Sequence, residues 1–209
     1  MKNKSYIGIS FIVLVFGIWT VKEIDARYFS KSELFEIGSA PRFNLINQDS
    51  IAISDIDFKE KVYVVEFFFS TCPTICPKMN ENMLKIENNF LTNDNFGIVS
   101  ITINPDNDTP SVLKAHAKHL GVTHKNWQFL TGNKDYIYSL SNKGFNLYAS
   151  QNNKAMGGFE HSGFFALVDK NGNIRCRKDT MGNPILYYDG LEKEGVKAII
   201  EDIDLLLKE

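Results

Sequence analysis

Residues 62–69, Val-Tyr-Val-Val-Glu-Phe-Phe-Phe, form an apolar run broken only by Glu66. A strand that is apolar on both faces has to be covered on both faces, which places it centrally in a sheet layered between helices. The run leads into Ser70-Thr71-Cys72-Pro73-Thr74-Ile75-Cys76-Pro77, with two of the chain's three cysteines at positions i and i+4. Pro77 suits the first turn of a helix. Met79, Met83, Leu84, Ile86, Phe90 and Leu91 then carry a helical stripe through about residue 91. If the residues between the cysteines make a helical turn, both sulfurs lie on one face. The free N–H groups of the helix start favour thiolates over thiols. A strand ending in two such sulfurs suits soft-metal ligation or thiol–disulfide exchange. The plainer alternative is a structural disulfide, which across one turn would constrain little chain.

The same periodicities continue downstream. Phe96–Ile103 reads as a second strand, and Asn104-Pro105-Asp106-Asn107-Asp108-Thr109-Pro110 as a loop entering a helix with Thr109 as N-cap. Val112–Leu120 is helical and ends at Gly121, and Trp127–Leu130 is a short strand. A further helix is expected from Thr131 to about Lys143, ended by Gly144, with Phe145–Tyr148 extended after it. Ser162–Val168 is an apolar strand, Asp169-Lys170-Asn171-Gly172 a turn and Asn173–Arg177 its hairpin partner. An amphipathic helix carrying Val196, Ile199, Ile200 and Ile203 closes the chain. This order predicts an α/β domain with a mixed central sheet flanked by helices.

A length of 209 residues fits one such domain plus an appendage. The appendage is N-terminal: Lys2 and Lys4 precede an uncharged apolar run from Tyr6 to Val21. We read residues 1–21 as a transmembrane anchor, with a cleaved signal peptide as the alternative, 22–40 as a tether and 41–209 as the domain. The basic N-terminal flank predicts an exported domain, on the periplasmic side of an inner membrane. Three cysteines are too few for a disulfide scaffold. A net charge of -2 without a basic patch argues against a nucleic-acid partner.

Four histidines could supply a third ligand. His116 and His119 read as solvated positions of one helix, and His124 as a turn residue. His161 stands at the mouth of the 162–168 strand, after Gly157-Gly158-Phe159-Glu160, where glycine-rich backbone permits close approach. The loop 104–108 offers too few carboxylates for a hard cation and reads as a turn capping the next helix. Cys176 reads as a buried, inert thiol pointing away from Arg175 and Arg177.

The segment from Phe67 to Met79 resembles the signature of the SCO/SenC copper-chaperone family of cytochrome oxidase assembly, and the likeness extends from about Pro41 to the C-terminus. Thr102–Pro110 is similar to that family's S-x-D-P-x-x-D-T-P segment, and Glu160-His161-Ser162 to its Asp-His-Ser. The resemblance implies a thioredoxin-like fold and copper, Cu(I) and Cu(II), held by Cys72, Cys76 and His161. It implies a membrane-tethered protein whose partner is the copper-bearing subunit of cytochrome c oxidase or another copper protein. Asn104 and Glu160 each stand where the family has Asp, so altered contacts around the site are expected rather than its loss. The alternative is a membrane-tethered thiol–disulfide oxidoreductase using Cys72 and Cys76 as its redox pair, supplied by a thiol–disulfide reductant. Against it stand the CxxxC spacing and the absence of a proline before the 162–168 strand, where His161 sits instead. A peroxidase is weaker still, since no arginine lies near the pair in sequence.

Overall fold

The β-branched and aromatic run at 62–69 does form the central strand. In the computed structural model, which describes residues 10, 13–20, 34–152 and 154–209, it becomes β4 (Val62–Phe68), buried at every position. Before it come β1 (Phe35–Ser39), β2 (Asn44–Asn47) and β3 (Ala52–Ser54). After it run α1 (Cys76–Phe90), β5 (Phe96–Thr102), α2 (Pro110–Leu120), β6 (Trp127–Thr131) and α3 (Lys134–Ser139). Then follow β7 (Ala149–Gln151), β8 (Phe159–His161), β9 (Phe164–Val168), β10 (Asn173–Lys178), β11 (Pro184–Ile185), β12 (Tyr188–Asp189) and α4 (Lys193–Lys208). Leu34–Lys208 is one compact unit. The sheet order is β1-β10-β9-β4-β5-β6-β2-β3, with β11 on β10 and β12 on β9. Strands β4, β5 and β6 are parallel and the remaining pairs antiparallel, so the sheet is mixed.

Register assigns the faces. Glu66 of β4 pairs with Ser100 of β5, and Ser100 with Phe129 of β6. Side chains in register point the same way, so Val64, Glu66, Phe68, Ser100 and Phe129 share one face. Two successive right-handed crossovers in one direction put both helices on that face. The ring contacts agree: Phe90 of α1 meets Phe96 at 5.0 Å, and His116 of α2 stacks on Phe68 at 5.5 Å. α4 packs against α1, and Asn82 of α1 donates at 2.8 Å to the carbonyl of Gly190, in the turn that leads into α4. On the other face Phe67 packs edge-on against Phe145 at 6.1 Å. Both faces of β4 are therefore covered, as its sequence requires.

Several boundaries differ from the sequence reading. Phe35–Ser39, inside the stretch read as tether, is an edge strand on β10. The helix expected to Lys143 leaves α-geometry at Leu140 and runs on as a π-helical turn to Phe145. Asn146, with φ at +51°, ends it rather than Gly144. In place of an extended 145–148 segment, β7 and β8 form a separate two-stranded hairpin. Of the expected anchor, residue 10 and residues 13–20 are described and helical, and the rest lies outside the described residues. Among the described residues no helix is long and apolar enough to cross a membrane.

Candidate metal centre

Beyond β4 the backbone folds over itself, and the Cys72 N–H donates to the Phe69 carbonyl at 3.2 Å. α1 starts at Cys76 with Pro77 in its first turn and no side-chain cap on Ile75. Pro77 has no N–H and the Lys78 N–H donates to the Ile75 carbonyl at 3.1 Å, so the Cys76 N–H is left to the cysteine loop, where it helps hold Cys72 as a thiolate. Cys72 is 9% exposed and Cys76 3%. Cys72 Sγ also lies 3.5 Å from the Thr74 hydroxyl.

His161 arrives from a different part of the sheet. The β7–β8 pairing sets it opposite Ala149, and its ring stands edge-on to Phe69 at 5.9 Å. Its Nδ1 is 3.1 Å from the Ser162 carbonyl and its Nε2 3.1 Å from Cys76 Sγ. A carbonyl can only accept, so Nδ1 carries a proton and Nε2 is the ring nitrogen turned toward the sulfurs. The donor atoms of Cys72, Cys76 and His161 all lie within 4.8 Å of one another. The structure thus brings the three sequence-derived site residues together.

Electrostatics divides the two thiols. The Cys76 thiol donates toward Cys72 and, with help from His161 and Thr74, holds the Cys72 thiol well below its ordinary value against the opposing effect of burial. The same bond and burial push Cys76 up. The site is therefore one thiolate, one protonated thiol and one imidazole nitrogen. Three donors bonded at about 2.0–2.3 Å around one ion in a plane stand about 3.5–4.0 Å apart, so closure by about 1 Å suffices. Two sulfurs and one imidazole favour a soft or borderline cation over a hard one.

The other candidates lie elsewhere. Cys176 is buried in β10 and outside the cluster, with burial raising its thiol pKa. His119 is exposed and His124 is buried, its Nδ1 accepting from the Asn126 N–H at 3.1 Å. His116 is not the solvated residue expected. It stacks on Phe68 and stands edge-on to Phe129, its Nε2 is buried without a partner, and burial lowers its pKa. Glu160 accepts from Asn152 at 2.9 Å and ties the hairpin together, while the Asn104 N–H donates to the Thr102 hydroxyl at 3.0 Å.

Two groups escaped the sequence reading. Glu66, noted only as a break in an apolar run, is 1% exposed on the α1 side of β4, where it helps raise the pKa of the Cys76 thiol and has its own lowered by His161. A lone carboxylate in a strand buried on both faces was its signal. Asp108, read as part of a capping turn, caps nothing. It is fully buried, and its carboxylate accepts from Ser70, Thr102 and Asn107.

The SCO1/SenC family model matches residues 33–194. A SCO1 protein homolog of Bacillus subtilis (strain 168) is 30% identical over 165 residues, covering 77% of this chain and 79% of its own. The structure of BsSco, a member of the Sco family of cytochrome c oxidase assembly proteins in which a disulfide switch is identified, is similar with a TM-score of 0.67. It is 26% identical and covers 81% of this chain and 94% of its own. Yeast Sco1 with copper bound is similar with a TM-score of 0.59 at 26% identity, covering 79% of this chain and 88% of its own.

Proposed function

The chain belongs to the SCO1/SenC family, and from that premise we propose that it binds copper through Cys72, Cys76 and His161 and assists assembly of the copper centre of cytochrome c oxidase. The observation that carries this reading is the convergence of two sulfurs and an imidazole nitrogen within 4.8 Å at the end of the central strand. A copper-bound relative of the same fold supports the choice of metal. Copper is cargo here. Cys72 meets it as a thiolate, Cys76 releases its proton on binding, and His161 closes the set through Nε2. Both thiolates suit Cu(I), and the imidazole extends the set toward Cu(II). Because His161 rides on a separate hairpin, its bond can open while both cysteines still hold the ion, as transfer to a recipient's ligands requires. The basic, apolar N-terminal segment supports a domain tethered to the inner membrane on its exported side.

A second reading shares these side chains: Cys72 attacks a recipient's disulfide, and Cys76 resolves the mixed disulfide, reducing the recipient. The split between a thiolate at Cys72 and a buried thiol at Cys76 favours keeping it, as does the disulfide switch identified in BsSco. Anaerobic competition titration of the reduced chain with Cu(I) tests the copper reading. We expect one ion per chain, lost in Cys72→Ala and bound at least tenfold more weakly in His161→Ala. Full affinity in His161→Ala would sink the three-ligand site.

A further inference from the structure

A buried carboxylate with no cation beside it is costly unless its oxygens are saturated by donors. Asp108 is 0% exposed, and among the described residues it forms no ion pair with lysine or arginine. Four donors meet it. Its Oδ2 accepts from the Ser70 N–H at 3.0 Å and the Thr102 hydroxyl at 2.5 Å. Its Oδ1 accepts from the Ser70 hydroxyl at 2.5 Å and the Asn107 amide at 2.8 Å. Two of the four come from Ser70, two residues before Cys72.

The sheet explains why this carboxylate is needed there. The β4–β5 ladder continues past its last pair with Ile103 N–H donating to the Phe68 carbonyl at 2.8 Å. In a parallel ladder the next bond would run from Ser70 N–H to the Ile103 carbonyl. That carbonyl instead accepts from the Tyr138 hydroxyl at 3.0 Å, and Ser70 turns to Asp108. The side chain thus replaces a ladder acceptor at the point where the chain leaves the sheet to form the cysteine loop. α2 gains nothing from it, since Asp108 supplies none of its N-terminal bonds and the Leu113 N–H goes to the Thr109 carbonyl.

We propose that Asp108 is a positioning residue for the Cys72–Cys76 pair, gripping both the N–H and the hydroxyl of Ser70 and so fixing where Cys72 Sγ stands relative to Cys76 and His161. The first readout rests on the copper reading above, whereas the second does not.

The test uses the full chain and four variants. Asp108→Asn turns an acceptor into a donor facing donors. Ser70→Ala removes one of the two ties to the loop while leaving the Thr102 and Asn107 bonds. Ser70→Thr restores the hydroxyl. Leu206→Ala, a fully buried residue near the far end of α4, lowers stability away from the site. Cu(I) affinity should fall at least fivefold in Asp108→Asn and Ser70→Ala, return to within fivefold of the wild type in Ser70→Thr, and stay within fivefold in Leu206→Ala despite its lower Tm. Smaller losses in both site variants would overturn the proposal. So would losses that track Tm across all variants, because those report folding alone. Where Asp108→Asn does not fold, the two Ser70 variants decide. If the wild-type chain binds no Cu(I), the copper reading fails and the dithiol–disulfide equilibrium of the pair against glutathione decides. A shift of at least fivefold (about 20 mV) in the site variants and not in Leu206→Ala supports positioning, and a smaller one overturns it.

Discussion

Glu66 shows how much one side chain can set in a buried layer. Its Oε1 accepts from the Ser100 hydroxyl at 2.6 Å, and Ser100 in turn accepts from the Trp127 indole N–H at 2.9 Å. Its Oε2 is buried with no partner. Burial pushes the carboxyl from the ordinary 4.5 up to about 7, and the Ser100 bond and the charge of His161 offset only part of that. The folded protein therefore holds this proton more tightly than the unfolded chain does. The contribution to stability is complete below about pH 4.5 and is lost as pH rises through 7, on the order of 3 kcal/mol in all. Glu66→Gln keeps the shape and cannot ionise. Urea unfolding of both metal-free proteins should show wild-type stability falling relative to Glu66→Gln between pH 4.5 and 8. A difference that stays flat across that range would show that Glu66 ionises without penalty.

At the scale of elements, the β7–β8 hairpin delivers His161 to the cysteine loop. Gly157 sits at its tip with φ at +83°, and a Cβ there would stand 3.0 Å from the Phe69 ring and 3.1 Å from Pro73. Neither neighbour has a flexible end that could yield. Gly157→Ala should therefore cost about 1 kcal/mol in backbone strain and push the hairpin off the loop. Its Cu(I) affinity should drop to the level of His161→Ala, because the cysteines remain in place while the histidine does not. Wild-type affinity in this variant would show that the hairpin is not seated by that contact. None of this hairpin was legible in the sequence beyond the glycines and His161 itself. Strands β4, β5, β6, β9 and β10 and helices α1, α2 and α4 were legible because their periodicity is local. β1 was not, because its partner β10 lies more than 130 residues on and its own side chains are mostly exposed. The cysteine pair announced the site by spacing. Asp108 hid, because in sequence a carboxylate that tethers a distant loop looks the same as one that caps the next helix.

Across the whole molecule, the candidate metal centre occupies one end of the parallel strands, and the most buried ion pairs among the described residues fasten the antiparallel side. Arg177 of β10 holds Asp202 of α4 at 2.7 Å and Glu201 at 2.7 Å, and the Tyr188 hydroxyl donates to Asp202 at 2.7 Å. Asp202 is 1% exposed, and its carboxylate raises the pKa of Arg177 further. Arg175 pairs with the buried Asp169 at 2.9 Å in the neighbouring turn. Removing one partner of a buried pair leaves the other uncompensated, which typically costs 3–5 kcal/mol. The Arg177 side chain is about a third exposed, so water recovers part of that loss. Asp202→Asn should therefore lower the free energy of unfolding by about 2 kcal/mol, measured by urea denaturation. The bonds that set Cys72, Cys76 and His161 come from Asp108, Ser162 and the Gly157 contacts, none of which involves α4. The Cu(I) affinity of the folded Asp202→Asn protein should accordingly stay within threefold of the wild type. An affinity that fell in step with stability would mean that the antiparallel side and the metal centre act as one cooperative unit, and the site could then no longer be explained by its local ties.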